Sequence, residues 1–86
     1  MQKFVKKPVV IEACQFDGAN ITEVENFVGK KLPTVISSNE DTQLVVSTLE
    51  GDMKISKRDW VIKGVNGEFY PCKLDVFNIS YERVNE

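Results

Sequence analysis

Apolar and polar positions alternate with a period of two along much of the chain, and this pattern predicts a protein built mainly of β-strands. In 42–49, Leu44 and Val46 fall on one face and Val45 on the other, which is typical of a half-buried strand. The polar turn 50–52 leads into 53–56, where the alternation resumes. We therefore expect these two segments to form a β-hairpin.

Three further segments favour strands. Residues 9–16 are rich in β-branched and apolar side chains and are followed by the turn dipeptide Asp17-Gly18, so we expect a strand that is largely buried on both faces. Residues 59–65 and 68–72 flank Asn66-Gly67, a dipeptide preferred in two-residue hairpin turns because both positions adopt positive φ. These two segments should therefore pair as a second hairpin.

The remaining strand signals are weaker. Residues 33–37 predict a short strand, and 73–76 a tight turn. In 77–81, Phe77, Ile79 and Tyr81 alternate with polar residues, which predicts a final, half-exposed strand.

One segment, 21–28, has the spacing of an amphipathic helix. Its apolar positions are Ile21, Val24, Phe27 and Val28. Asn20 is a favoured N-cap residue, and Glu23 stands where a capping box places its acidic side chain. Gly29 follows in the usual C-terminal position.

The length of 86 residues suits one small domain spanning 1–86. Taken together, the segments predict the α+β class. We expect a small, mostly antiparallel sheet or a partly open barrel of about six strands, with one short helix packed on it.

The charge balance makes nucleic acid an unexpected partner. The net charge is −2, whereas phosphate-driven binding requires a basic surface. Lys3, Lys6 and Lys7 are the exception, since they cluster near the N-terminus and could form one basic patch. No apolar run approaches the length of a membrane span, and 1–10 lacks an export signal, so we expect a cytoplasmic protein without a membrane partner.

The chain contains no histidine, which removes the commonest general base and the commonest metal ligand. We therefore expect a protein that is not an enzyme, with no catalytic residue, no cofactor and no metal. Cys14 and Cys72 match neither zinc spacing nor a redox motif and are interpreted as free, buried thiols. The alternative is a reactive Cys72 whose pKa is lowered by Lys73.

The second hairpin supplies most of the candidate binding residues. With a two-residue turn, Lys63 faces Tyr70, and these side chains could form with Trp60 a surface that stacks a nucleotide. The alternative is an ordinary hydrophobic core with Tyr70 at its rim. A hairpin by itself does not require the residue types found at Lys63, Glu68, Tyr70 and Lys73. Together with Trp60, these four residues are the candidate binding residues.

Glu12 is a candidate buried carboxylate, because it lies within the strand predicted to be buried on both faces. Such a carboxylate must be paired or have a raised pKa. Lys63 or Lys73 would supply the partner. The functional interpretation is a ligand contact or general base, and the alternative is a structural ion pair.

Three segments resemble the PGDYG-type family of small phage and prophage proteins. They are 6–13 (KKPVVIEA), 48–53 (TLEGDM) and 64–73 (GVNGEFYPCK), in the family's order and with a helix between the first two. The chain departs from the Pro-Gly-Asp-Tyr signature, where it has Lys57-Arg58-Asp59-Trp60. The resemblance implies a phage or prophage origin and a bacterial cytoplasm, and it implies no activity.

These observations favour a non-catalytic phage accessory protein that binds a host protein or another copy of itself, for host modulation or counter-defence. The alternative is a binder of a small molecule such as a nucleotide signal, in a pocket between protomers. A virion structural protein is a further alternative. An enzyme that uses carboxylates alone would need two acids that converge in a cleft.

Overall fold

Two three-stranded antiparallel sheets and two short helices make up the computed structural model, which describes residues 1–5 and 7–84. The elements are β1 (Glu12–Gln15), α1 (Ile21–Val28), β2 (Thr34–Ile36), β3 (Thr42–Thr48), β4 (Gly51–Ile55), β5 (Trp60–Lys63), β6 (Phe69–Cys72) and α2 (Leu74–Ser80). The α+β class is confirmed. Within the described residues the strands do not close into a barrel.

The first sheet has the strand order β1-β5-β6 and the second has the order β2-β3-β4. The predicted hairpin of β3 and β4 is confirmed, with its turn one residue earlier than expected, at Leu49-Glu50. Strand β6, at one edge of the first sheet, lies against β3 and β4 of the second sheet. The two sheets therefore meet along β6.

The hydrophobic core lies between the two sheets and under α1. Its buried members are Phe16, Val24, Leu32, Leu44, Val46, Ile55 and Val61. Burying one such side chain contributes about 1.5–3 kcal/mol relative to leaving it exposed. Leu44 and Val46, which the alternation placed on one face, both belong to this core, whereas Val45 is only partly buried.

Helix α1 spans the predicted residues, but its start is held differently from a capping box. The Asn20 side chain makes no bond to an amide of the first helical turn. Its Oδ1 accepts a hydrogen bond from the Asp17 amide at 2.8 Å, and its Nδ2 donates to the Gln15 carbonyl at 2.8 Å and to the Glu23 carboxylate. Asn20 therefore ties the start of the helix to the end of β1.

The first strand is shorter and more exposed than predicted. Strand β1 begins at Glu12, while Val9 and Val10 are 53% and 79% exposed. The prediction of a strand buried on both faces was therefore wrong. The reason is that β5, the partner of β1, ends at Lys63 directly opposite Glu12, so the pairing stops before 9–11.

Residues 74–80 form a helix, so the predicted turn and final strand were wrong. Phe77 stacks on Trp60 with ring centroids 4.4 Å apart, and Tyr81 stacks on Phe77 at 5.0 Å. Ile79, which a strand would place on the same face as these rings, is 88% exposed. The segment is short enough that its apolar positions fit both periods, and packing against Trp60 selects the helix.

Candidate functional site

The hairpin of β5 and β6 has a three-residue loop instead of the predicted two-residue turn. The Gly64 amide donates to the Glu68 carbonyl at 2.7 Å, and the Gly67 amide donates to the Gly64 carbonyl at 3.0 Å. Gly67 has a φ of 82°, whereas Asn66 is not among the residues with positive φ. This is a type I turn followed by a left-handed residue, a common three-residue loop.

The longer loop shifts the strand register by one residue. Lys63 lies opposite Phe69, and Ile62 lies opposite Tyr70. Because directly paired residues of antiparallel strands share a face, Lys63 and Tyr70 lie on opposite faces of the sheet. The predicted surface that combined these two side chains was therefore wrong.

Trp60 and Tyr70 do share a face, the one on which α2 packs. Burial raises the pKa of Tyr70, and a hydrogen bond with Tyr81 raises it further. Phe77 covers one face of the Trp60 indole. The indole Nε1 is buried and has no hydrogen-bond partner in the described part of the chain. These rings form a packed aromatic layer between the first sheet and α2.

Glu68 stabilises the hairpin loop. Its Oε2 accepts a hydrogen bond from the Asn66 amide at 3.0 Å. Its carboxylate lies over Gly64, in the space that a Cβ at that position would occupy. The absence of a side chain at Gly64 therefore allows Glu68 to fold back over the loop.

Among the described residues the buried carboxylate is Asp59, and the prediction of a buried Glu12 was wrong. Asp59 is 4% exposed, whereas Glu12 is exposed on edge strand β1 opposite Lys63. Oδ2 of Asp59 accepts hydrogen bonds from the Ser56 amide at 2.8 Å and from the Lys73 ammonium at 3.1 Å. Lys73 is thus the cation that pairs the buried acid.

The turn before β5 carries a backbone conformation that its residues do not favour. The Asp59 amide donates to the Ser56 carbonyl at 2.9 Å, and Arg58 has a φ of 78°. Positive φ at the third position is the geometry of a type II turn, which favours proline second and glycine third. Lys57 and Arg58 occupy these positions, where the PGDYG-type signature has proline and glycine. The chain keeps the aspartate of that signature as Asp59. This shared residue was the sequence feature that could have indicated a structural role for Asp59 directly after the turn.

The surroundings of Cys72 disfavour a reactive thiolate. Burial raises the pKa of the Cys72 thiol, and the carboxylates of Asp59 and Asp75 raise it further. The alternative in which Lys73 lowers this pKa was wrong, because the Lys73 ammonium pairs with Asp59.

The junction of the two sheets holds a cleft of about 300 Å³, which the sequence pattern did not indicate. We call it the seam cleft. Its lining includes Leu49, Glu50, Met53, Glu68, Phe69 and Pro71. Tyr70 also contributes, so two of the five predicted binding residues, Glu68 and Tyr70, reach this cleft.

The seam cleft combines apolar walls with negative charge. Leu49 is 92% exposed at the tip of the β3–β4 turn, and Met53 is 38% exposed. Glu50 and Glu68 add two carboxylates to the same lining. Such a cleft suits a group that carries both apolar surface and positive charge.

Comparison with protein-family models, with curated proteins and with solved structures finds no match. The resemblance to PGDYG-type proteins therefore stays a prediction.

A second, more open cavity of about 470 Å³ lies between the 56–59 turn and the start of α2. Its charged lining residues are Lys57, Arg58, Asp59, Lys73 and Asp75. Lys73 is the one predicted binding residue found there, and its ammonium is already paired with Asp59.

Two classes of feature are not found within the described ranges 1–5 and 7–84. No three Cys, Asp or Glu side chains come together as a group that could hold a metal ion. No helix in these ranges is long and apolar enough to cross a membrane.

Proposed function

We propose that this chain is a non-catalytic binding module that captures a basic, partly apolar segment of a partner protein in the seam cleft. The observation that carries the proposal is the seam cleft itself, whose lining combines the apolar side chains of Leu49, Met53 and Phe69 with two carboxylates. Exposed apolar groups that continue into a lined cleft are typical of interaction sites.

The size of the seam cleft supports a peptide side chain as its occupant. A volume of about 300 Å³ is at the lower end of the range of about 300–1,000 Å³ for small-molecule pockets. It therefore suits one or two side chains of a partner better than a whole nucleotide.

The charge of the cleft supports a basic partner. Glu50 is exposed, and Glu68 is half-buried next to Phe69. Lysine or arginine in the partner would meet these carboxylates while a neighbouring apolar side chain enters the cleft. Such complementarity contributes mainly to specificity and to the rate of association.

The contacts of two carboxylates, Asp59 and Glu68, support a non-catalytic role. Asp59, the buried acid, pairs with the Lys73 ammonium and accepts a hydrogen bond from the Ser56 amide. Glu68 holds the hairpin loop through the Asn66 amide. Neither carboxylate is in the position of a free general base in a closed cleft.

The resemblance to phage and prophage proteins supports a cellular context for the proposal. The partner would be a host protein or another copy of this chain, in the bacterial cytoplasm. Capture of the partner would modulate the host or counter its defence.

The test is selection of peptides from a random displayed library against the immobilised full chain. We expect the selected sequences to be enriched in Lys or Arg next to aliphatic or aromatic residues. The variant Leu49→Ser should bind those peptides about tenfold more weakly, a typical effect for a buried apolar contact. The matched control is Ile79→Ser, because Ile79 is 88% exposed on α2, outside the cleft. Selection without basic enrichment, or equal losses in the two variants, would contradict the proposal.

A small-molecule site is a second candidate function, favoured by the cavity that Lys57, Arg58 and Lys73 line. An anionic ligand would meet Lys57 and Arg58 there, beside the Lys73–Asp59 pair. Binding should raise the melting temperature of the chain in a panel of nucleotides, and Lys57→Ala should reduce the shift. An unchanged melting temperature across the panel would count against this candidate.

A further inference from the structure

The segment that precedes β1, which we call the arm, has several apolar side chains that are exposed to water among its described residues. Its described parts, 1–5 and 7–11, belong to no helix or strand. Phe4 is 86% exposed, Val5 is 92% exposed and Val10 is 79% exposed. Several exposed apolar side chains within one short segment are typical of an interaction surface, whereas a single exposed apolar residue is ordinary.

The overall dimensions agree with an arm that extends from the sheets. The radius of gyration is 14.4 Å, compared with about 12 Å for a compact domain of this length. The longest dimension is 50 Å. Ten extended residues span up to about 35 Å, so the arm is long enough to reach across a neighbouring molecule.

The arm and the seam cleft are complementary in charge and in apolar character. Phe4 and Val5 are, after Met1, the most exposed apolar residues of the arm, and they lie between Lys3 and Lys7 in the sequence. Glu50 and Glu68 stand among the apolar lining of the cleft. A segment of the arm would therefore present an apolar side chain to the cleft and an ammonium to its acidic lining.

The arm and the seam cleft lie at opposite edges of the first sheet. The arm enters the first sheet through β1, at the edge opposite β6, and β6 lines the cleft. A twofold arrangement of two chains would place each arm at the cleft of the other and would form the same contact twice.

We infer that the seam cleft accepts the N-terminal arm of a second copy of this chain, so that two chains form a dimer by exchanging arms. This inference rests on the proposed binding function of the cleft. The dimer is the species that would present the remaining surface of the protein to other partners.

The test is a charge exchange in the full chain, read by analytical ultracentrifugation. The arm variant Lys3→Glu with Lys7→Glu has an acidic arm and an acidic cleft. The cleft variant Glu50→Lys has a basic arm and a less acidic cleft. Each variant alone should dimerise at least tenfold more weakly than the unaltered chain. Their mixture should associate more tightly than either variant alone, because the acidic arm meets the altered cleft and the basic arm meets the native one.

Two controls separate this contact from general charge effects and from misfolding. Lys30→Glu with Arg83→Glu makes the same change in net charge at exposed positions outside the arm and should leave dimerisation unchanged. Phe4→Ser removes apolar surface from the arm without changing charge and should weaken the dimer. Melting curves of all variants should remain close to that of the unaltered chain, since these side chains are exposed.

A chain that is monomeric up to high micromolar concentration would overturn the inference, and so would a dimer that the arm variants leave unchanged. In either case the peptide selection with Leu49→Ser still tests the cleft separately. A cleft that captures basic peptides while the arm has no effect on association would retain the proposed function and reject the exchange of arms.

Discussion

The Lys73 ammonium lies 3.1 Å from Oδ2 of Asp59, and this pair joins the turn before β5 to the residue that precedes α2. The Asp59 side chain is 5% exposed, whereas the Lys73 side chain is 65% exposed. Loss of the pair would therefore affect the carboxylate more than the ammonium, because water already solvates much of the Lys73 side chain. The contact helps to fix where α2 begins, next to the aromatic layer.

Removal of Lys73 should destabilise the fold through Asp59. We expect Lys73→Met to lower the free energy of unfolding by about 1–2 kcal/mol, because the buried Asp59 carboxylate loses a charged hydrogen-bond donor. The loss is limited because the Lys73 side of the pair is open to water. Asp59→Asn keeps an oxygen for the Ser56 amide and should cost a similar amount. A double-mutant cycle in urea should give a coupling energy of about 1 kcal/mol. Simple additivity would mean that the pair contributes nothing.

Replacement of Arg58 by glycine should stabilise the protein. Arg58 has a φ of 78°, a left-handed conformation that costs about 1–2 kcal/mol for a residue with a Cβ. Glycine removes that cost but makes the unfolded chain more flexible, so we expect a net gain of about 0.5–1 kcal/mol. Arg58→Ala is the matched control, since it removes the side chain and keeps the strain. Equal stability of the two variants in thermal unfolding would rule out this explanation.

A side chain at Gly64 should displace the Glu68 carboxylate from its bond with the Asn66 amide. We expect Gly64→Ala to cost about 1 kcal/mol, the usual contribution of such a hydrogen bond. In the background of Glu68→Ala the same change should cost much less, because the space over Gly64 is then empty. Chemical denaturation of the four proteins measures both values. If Gly64→Ala costs the same unfolding free energy in the Glu68→Ala background, the requirement for glycine at position 64 would come from backbone conformation and not from the carboxylate.

Loss of the stacked ring at position 77 should release α2 from the first sheet. Phe77→Ser removes a ring that lies 4.4 Å from Trp60, and such a pair contributes about 0.5–1.5 kcal/mol beyond its buried area. Trp60 is the single tryptophan, so its fluorescence emission should shift to longer wavelength as water reaches the indole. Ile79→Ser, on the exposed side of α2, should leave the emission unchanged. A blue or absent shift in Phe77→Ser would contradict the packing of α2.

Asp17 should contribute to the loss of stability in acid. The amides of Ala19 and Asn20 donate to its carboxylate and hold its pKa below the usual value of 3.8. A group whose pKa is lower in the folded state stabilises above its unfolded pKa, and that contribution is lost as pH falls through the folded pKa. Asp17→Asn keeps an acceptor oxygen and removes the titration. We therefore expect a smaller decrease in unfolding free energy below pH 4 for this variant than for the unaltered chain, and an identical pH dependence would exclude the effect.

The sequence determined the elements whose signals are local. Period-two alternation located β3 and β4, and the helical spacing of 21–28 with Asn20 and Gly29 gave the bounds of α1. The α+β class followed from those elements. These features depend on side-chain periodicity and on residues that favour turns, which neighbouring positions alone specify.

The tertiary structure decided the features that depend on what lies alongside a segment. The loop at Gly64 to Gly67 set the register of β5 and β6 and separated Lys63 from Tyr70. Packing on Trp60 made 74–80 a helix, and the end of β5 left Val9 and Val10 without a partner strand. The seam cleft exists only because β6 lies against β3 and β4. Contacts between segments distant along the chain thus selected among local conformations of similar free energy, and no local pattern contains that information.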